Sequence, residues 1–168
     1  GAPGLGVAGE PVVEMILDAE LDLTAGIGVN AFGYGDAGIA TAVVNALDTG
    51  LVHVSNLYRS RPGEELAAEL TRRSFADRVF YCNSGGEANE AAFKLARKWA
   101  KSKGRGHEII TANDSFHGRT LATVAATGQT KYQKGFEPMP EGFPKMPFGD
   151  IKAARQAISD NTAAVMVE

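Results

Sequence analysis

Residues 82–92, Cys-Asn-Ser-Gly-Gly-Glu-Ala-Asn-Glu-Ala-Ala, set two glycines between a stretch of strand character and a run of helix formers. A phosphate monoester needs that arrangement. Each glycine in a first helical turn gives up about 1 kcal/mol against alanine, so a pair there signals close approach of something to the backbone. A helix N-terminus offers unpaired N–H groups and the positive end of the helix dipole, and a phosphate satisfies both. The same residues fit a plainer reading. Ser84-Gly85-Gly86-Glu87 is also a capping box, in which Ser84 accepts the Glu87 N–H while Glu87 reaches back, and that device needs no ligand. A second segment, Asn113-Asp114-Ser115-Phe116-His117-Gly118-Arg119-Thr120, gathers a ring, an imidazole and a guanidinium within four residues. Phe116 can stack on a flat heterocycle, and Arg119 can grip a carboxylate through two parallel hydrogen bonds. Their plainer readings are a core ring, a satisfied loop histidine and a solvated charge.

Both segments need strand-to-helix turns to hold them. Arg78–Cys82 has the β-branched and aromatic character of a buried strand, and the helix after it runs from Gly86 to about Lys103, stopped by Gly104. Ala88, Ala92, Leu95, Ala96 and Trp99 recur along it at helical spacing, a stripe that would pack close to a sheet. A strand over His107–Thr111 and a small-residue helix over Leu121–Ala126 flank the second segment, and ligands collect at the carboxyl ends of such strands. Further helices are expected over Ile39–Leu47, from Pro62 with Glu64 and Glu65 in its first turn, and over Ile151–Ile158 behind an Asp150 cap. Residues 135–149, with four prolines, read as an irregular connection, and Ala163–Val167 as a buried strand. Alternating strands and helices predict an α/β fold, a mostly parallel sheet covered by helices. Residues 1–20, glycine-rich at their start, read as a loose amino-terminal segment ahead of one domain over 21–168.

Taken together, the glycine turn and Ser-Phe-His-Gly-Arg-Thr resemble the class III, fold-type I aminotransferases that use pyridoxal phosphate, in particular their acetylornithine-using branch. The likeness extends through Leu23–Ala31, His53–Tyr58, Phe93–Lys98, Ala126–Gln129 and Ala163–Glu168, and so covers about residues 21–168. It implies that Ser84, Gly85 and Gly86 hold the cofactor phosphate, that Phe116 packs on the pyridine ring and that Arg119 grips the substrate carboxylate. It also implies a homodimer and amino transfer from N-acetylornithine, or a similar ω-amino donor, to 2-oxoglutarate in arginine biosynthesis. Gly86 departs from the family, which usually has Thr or Ala there. The likeness implies a chain more than twice this long, with the aspartate facing the pyridine nitrogen and the lysine of the Schiff base both beyond Glu168. Such a lysine is the family's acid–base group and covalent anchor. Lys94 and Lys98 are expected on the solvated side of their helix, and Lys131, Lys134 and Lys145 in a Gly/Pro-rich region without context for a desolvated amine. The expectation is therefore the amino-terminal portion of a transaminase large domain, inactive alone.

Composition narrows the class further. A net charge of −3 gives no basic footprint for nucleic acid or an anionic membrane. His53, His107 and His117 are scattered and Cys82 is the single cysteine, too few for a metal cluster or a disulfide framework. No apolar run reaches membrane-spanning length and no signal-like segment opens the chain, which makes a reducing cytoplasm the default. Two other readings stand beside the enzyme. Gly33-Tyr34-Gly35-Asp36-Ala37-Gly38 and Gly4-Leu5-Gly6-Val7-Ala8-Gly9 both fit the dinucleotide-binding turn, but that turn needs a strand before it and an acid at the end of the next strand. The other reading is a non-catalytic truncated homologue acting as an association module, which association state and cofactor retention would discriminate.

Overall fold

The protein is described here by a computed structural model covering residues 26–50, 53–55 and 57–168. The expected loose segment 1–20 and the Gly4–Gly9 match lie outside these residues. The chain divides into two compact units between Glu69 and Leu70.

The first unit contains α1, Ala37–Asp48, and most of α2, Arg61–Arg73. Asp36 starts α1 by accepting the Ile39 N–H at 2.8 Å, and Gly50, at φ +68°, follows its end. Gly33-Tyr34-Gly35 forms turns, and neither residues 26–36 nor 53–55 include a strand. Among the described residues the dinucleotide turn therefore has no strand beside it, and Asp36 serves as a helix cap. Glu64 lies in the first turn of α2 and pairs with Arg59, while Arg72 and Arg73 occupy the last turn, each sign complementing the helix dipole.

The second unit is built on β1, Glu108–Ala112, which pairs in parallel with β2, Lys145–Met146, and with β3, Thr162–Met166, in the order β2-β1-β3. β1 is the buried centre: Ile109, Ile110 and Thr111 are 1% exposed or less. α3, Gly85–Ser102, lays Phe93, Ala96 and Ala100 toward the core, where Phe93 meets Phe143 edge-on at 5.0 Å. Two further helices complete the unit, α4, Leu121–Ala126, against α3, and α5, Ile151–Ala157, against β2, each started by its predecessor's side chain, Thr120 and Asp150.

Four expectations change. Arg78–Cys82 forms no strand and lies outside the sheet, and Phe80 is largely exposed. β propensity yields a strand only where another strand completes its ladder. Of the Ala88, Ala92, Leu95, Ala96 and Trp99 stripe of α3, Ala96 packs against the core, but Ala88, Ala92, Leu95 and Trp99 stay exposed while the Phe93 side meets the sheet. α3 is apolar on two sides, and periodicity does not choose between them. β2 forms within the proline-rich stretch because it serves β1 through carbonyls: Gly142, Pro144 and Met146 accept from Ile109, Thr111 and Asn113 at 2.8–2.9 Å. Proline keeps its carbonyl, so an edge strand between Pro144 and Pro147 loses nothing. β3 is mostly half-buried rather than buried, with Val165 exposed.

After α4 the chain returns to the end of β1. Gly128 exchanges backbone hydrogen bonds with Asp114 and Ser115 at 3.1 Å, so tightly that a Cβ there would sit 2.3 Å from the Ala112 carbonyl oxygen and 2.6 Å from the Asp114 nitrogen. Backbone on both sides cannot move aside. Gly128→Ala is expected to lower stability by about 3 kcal/mol or more, read as a fall in urea midpoint. Gly85→Ala, whose Cβ meets nothing within 4 Å, is the control and should leave the midpoint nearly unchanged.

Candidate functional site

The two chemistry-bearing segments meet. Loop 113–120 leaves the carboxyl end of β1 and crosses the amino-terminal turns of α3. Asn89 of α3 donates to the His117 carbonyl at 2.7 Å, Glu90 accepts the Thr120 hydroxyl, and Gly118 abuts Gly86. Gly118 sits at φ +130°, and a Cβ on it would lie 3.2 Å from the Gly86 Cα and 2.8 Å from Thr123 Oγ1. Only glycine fits this contact.

The start of α3 differs from a closed capping box. Ser84 Oγ accepts the Glu87 N–H at 3.2 Å, but the Glu87 carboxylate reaches past Ser84 to the Asn83 N–H and side-chain amide, both at 2.8 Å. The N–H groups of Ser84, Gly85 and Gly86 thus find no acceptor among the described residues. A Cβ at Gly85 would enter open space, and one at Gly86 would meet only Ser84 Oγ, at 3.8 Å. No protein atom presses on these glycines. Three adjacent donors at the positive end of an 18-residue helix, facing open space, fit a phosphate. The room at Gly86 also accommodates the Thr or Ala expected there from the resemblance.

Phe116, Arg119 and Tyr132 form a cluster. The two rings meet edge-on at 5.8 Å and 77°, and the Arg119 guanidinium lies 4.9 Å from the Phe116 centroid and 4.5 Å from that of Tyr132. Phe116 is half-buried and so is not the core ring of the plainer reading, while Arg119 is exposed, as the solvated charge of that reading would also be. The Glu168 carboxylate accepts the Phe116 N–H and, with Asp114, Ser115 and Phe148, lines a depression at the carboxyl ends of the strands.

Behind the loop lie a buried histidine and a half-buried lysine. His117 is 4% exposed; its Nε2 has no partner among the described residues, its backbone N–H donates to Thr127 Oγ1 at 3.0 Å, and burial lowers its pKa against the opposing pull of Glu168. The ring is therefore held neutral. Lys145 overturns its expectation, since burial brings its amine down to about 8. The three protons go to Thr111 Oγ1, the Ala125 carbonyl and the Ala126 carbonyl at 2.6–2.8 Å, so the lysine ties the carboxyl end of α4 to β1. Lys94, Lys98, Lys131 and Lys134 are exposed. Cys82 is a half-buried free thiol beside Phe80 and Leu95.

Sequence reasoning missed Asn89, Thr127, Gln129, Tyr132 and Lys145. Asn89, a poor helix former inside a helix, carried a local signal; the others hold the loop across distances that spacing does not reveal.

The class III aminotransferase family model matches residues 17–168. Acetylornithine aminotransferases of Myxococcus xanthus and Methanocaldococcus jannaschii are 52% and 51% identical over 150 residues, which are 88% of this chain and 37% of those proteins. Among solved structures, the N-acetylornithine aminotransferase of Stenotrophomonas maltophilia is 38% identical at a TM-score of 0.67, over 88% of this chain and 35% of that one. An ornithine aminotransferase of Toxoplasma gondii, with PLP at partial occupancy in its active site, matches at 25% identity and a TM-score of 0.79, over 86% of this chain and 35% of that one. The chain thus spans a little over a third of the length of these relatives. Its parallel, helix-flanked sheet is part of the fold-type I architecture those enzymes share. With the family model spanning nearly all of its residues and relatives at half identity, the chain belongs to the class III aminotransferases.

Proposed function

We propose that this chain carries the phosphate cradle, ring platform and carboxylate grip of a pyridoxal-phosphate-dependent transaminase. On this reading Ser84, Gly85 and Gly86 donate backbone N–H groups to the phosphate, Phe116 packs on the pyridine ring and Arg119 forks onto the substrate carboxylate. The bound cofactor supplies an electron sink and carries the amino group between substrates. The chain's own residues bind and orient. Neutral His117 and the hydrogen bonds of Thr127 and Asn89 keep the loop bearing Phe116 against the start of α3. The amino donor is N-acetylornithine or a similar ω-amino compound and the acceptor 2-oxoglutarate, in arginine biosynthesis, within a cytoplasmic homodimer. The names of the relatives support the donor.

The observation that carries this reading is the open turn at Ser84–Gly86, with three unpaired N–H groups, docked on the loop of Phe116 and Arg119. No lysine described here suits a covalent anchor: seven are exposed, and Lys145 has every proton engaged. The chain by itself therefore binds the cofactor without a covalent bond and does not transaminate.

Titration of the purified chain with pyridoxal phosphate, followed by absorbance, borohydride reduction and mass analysis, tests this. Saturable binding without a label fixed on lysine is expected. Pyridoxal, lacking the phosphate, should bind about 10²-fold more weakly, the worth of one or two charge-assisted hydrogen bonds. Equal affinity for both would remove the cradle. A label on Lys145 would overturn the anchor assignment. A stable, self-associating chain indifferent to either compound would favour the association module.

A further inference from the structure

We infer that Tyr132 is the positioning residue for Arg119, its ring holding the guanidinium where a carboxylate is to be met; this rests on the proposed role of Arg119 as the carboxylate grip. The guanidinium is exposed and, among the described residues, is held by ring faces alone, Tyr132 at 4.5 Å and Phe116 at 4.9 Å. A free arginine at a surface spreads over many rotamers, and fixing it for a bidentate contact needs a partner that leaves the N–H fork available. An aromatic face does that, because it attracts the cation through the ring and occupies none of its donors. A carboxylate partner would compete with the substrate. Phe116 is committed on the proposed reading to the cofactor ring, which leaves Tyr132 as the support dedicated to Arg119.

The placement of Tyr132 is built in. It closes a single 3-10 turn, Thr130–Tyr132, and a glutamine on each side staples that turn to the loop. Gln129 Nε2 donates to the Asp114 and Ser115 carbonyls, each at 3.2 Å, just before Phe116. Gln133 Nε2 donates to the Val124 and Thr127 carbonyls, also at 3.2 Å, at the far end of the helix that follows Arg119. The ring between them is thereby set edge-on to Phe116. Lys131 approaches the same ring at 4.8 Å, so positive charge gathers around Tyr132. No hydrogen bond ties the Tyr132 hydroxyl to Arg119; the interaction runs through the ring, and that distinction makes it testable.

The test uses the longest natural polypeptide containing this sequence, loaded with pyridoxal phosphate. Two quantities are read: the KM for 2-oxoglutarate, and the dissociation constant of glutarate, a non-reacting dicarboxylate, by calorimetry. Tyr132→Phe should match the parent within about twofold, while Tyr132→Leu and trifluorinated phenylalanine at position 132 should raise both constants about tenfold, the range of a partly desolvated cation–π contact. The cofactor spectrum should stay the same in all three. In an Arg119→Ala background, Tyr132→Leu should add nothing further. The trifluorinated ring keeps the shape of phenylalanine and loses its negative face, so it remains decisive where the leucine variant fails to fold. Unchanged glutarate binding in the trifluorinated variant, with Arg119→Ala still defective, would overturn the role of Tyr132 and leave that of Arg119 intact. Unchanged binding in Arg119→Ala itself would overturn both.

Discussion

Gly85→Val is expected to weaken pyridoxal phosphate binding by about 10²-fold while moving the urea midpoint little. The two halves of that expectation have separate causes. A Cβ on Gly85 meets nothing within 4 Å, and the residue does not lie in the left-handed region, so the fold accepts a side chain there. The open space is the space proposed for the phosphate. Two valine methyl groups in front of the first N–H groups of α3 would exclude one or two hydrogen bonds to a charged oxygen, each worth about 1.5–3 kcal/mol, and 1.4 kcal/mol is tenfold in affinity. Gly85→Ala should fall between parent and valine. The measurement is the dissociation constant from the absorbance titration, alongside the unfolding curve. Parent-like affinity in the valine variant would end the helix-terminus assignment, and a collapsed midpoint would show that the open space belongs to the fold.

How far the sequence alone carried this picture depends on whether a feature is written locally. The helix from Gly85, its Ser84 cap and its glycine stop were legible, because period, cap and stop sit within a few residues of one another. β1 was legible for the same reason, bounded by turns and rich in isoleucine. Arg78–Cys82 carries the same strand character and joins no sheet, since pairing is decided by what lies alongside. β2 was hidden by its flanking prolines, which a carbonyl-accepting edge strand tolerates. Within the site, Ser84, Gly85, Gly86, Phe116 and Arg119 could be picked by residue type, and their meeting could not: it is made by Asn89, Glu90 and the Gly86–Gly118 contact. Lys145 shows the limit most directly. A lysine between prolines reads as solvated, and only the fold brings two terminal carbonyls and the Thr111 hydroxyl around its amine.

Arg119→Ala, in the polypeptide loaded with cofactor, should leave the cofactor spectrum and affinity unchanged and lower kcat/KM about 10²-fold or more, chiefly through KM. The guanidinium is exposed, and its contacts among the described residues are the ring faces of Phe116 and Tyr132, so its removal leaves no buried group unpaired and little stability is lost. What disappears is a planar fork for a carboxylate, two charge-assisted hydrogen bonds of about 1.5–3 kcal/mol each. Such a contact is made to the bound substrate as well as during reaction, and its loss therefore falls on KM more than on kcat. Arg119→Lys should recover only part of the effect. An ammonium keeps the charge, but it offers no fork and fits the two ring faces less well. The cofactor is the internal control: if Arg119→Ala weakened pyridoxal phosphate binding as much as it raised KM, the guanidinium would be serving the phosphate. An unchanged KM together with an unchanged cofactor would move the carboxylate grip to another residue and leave Arg119 as a solvated charge resting on two rings.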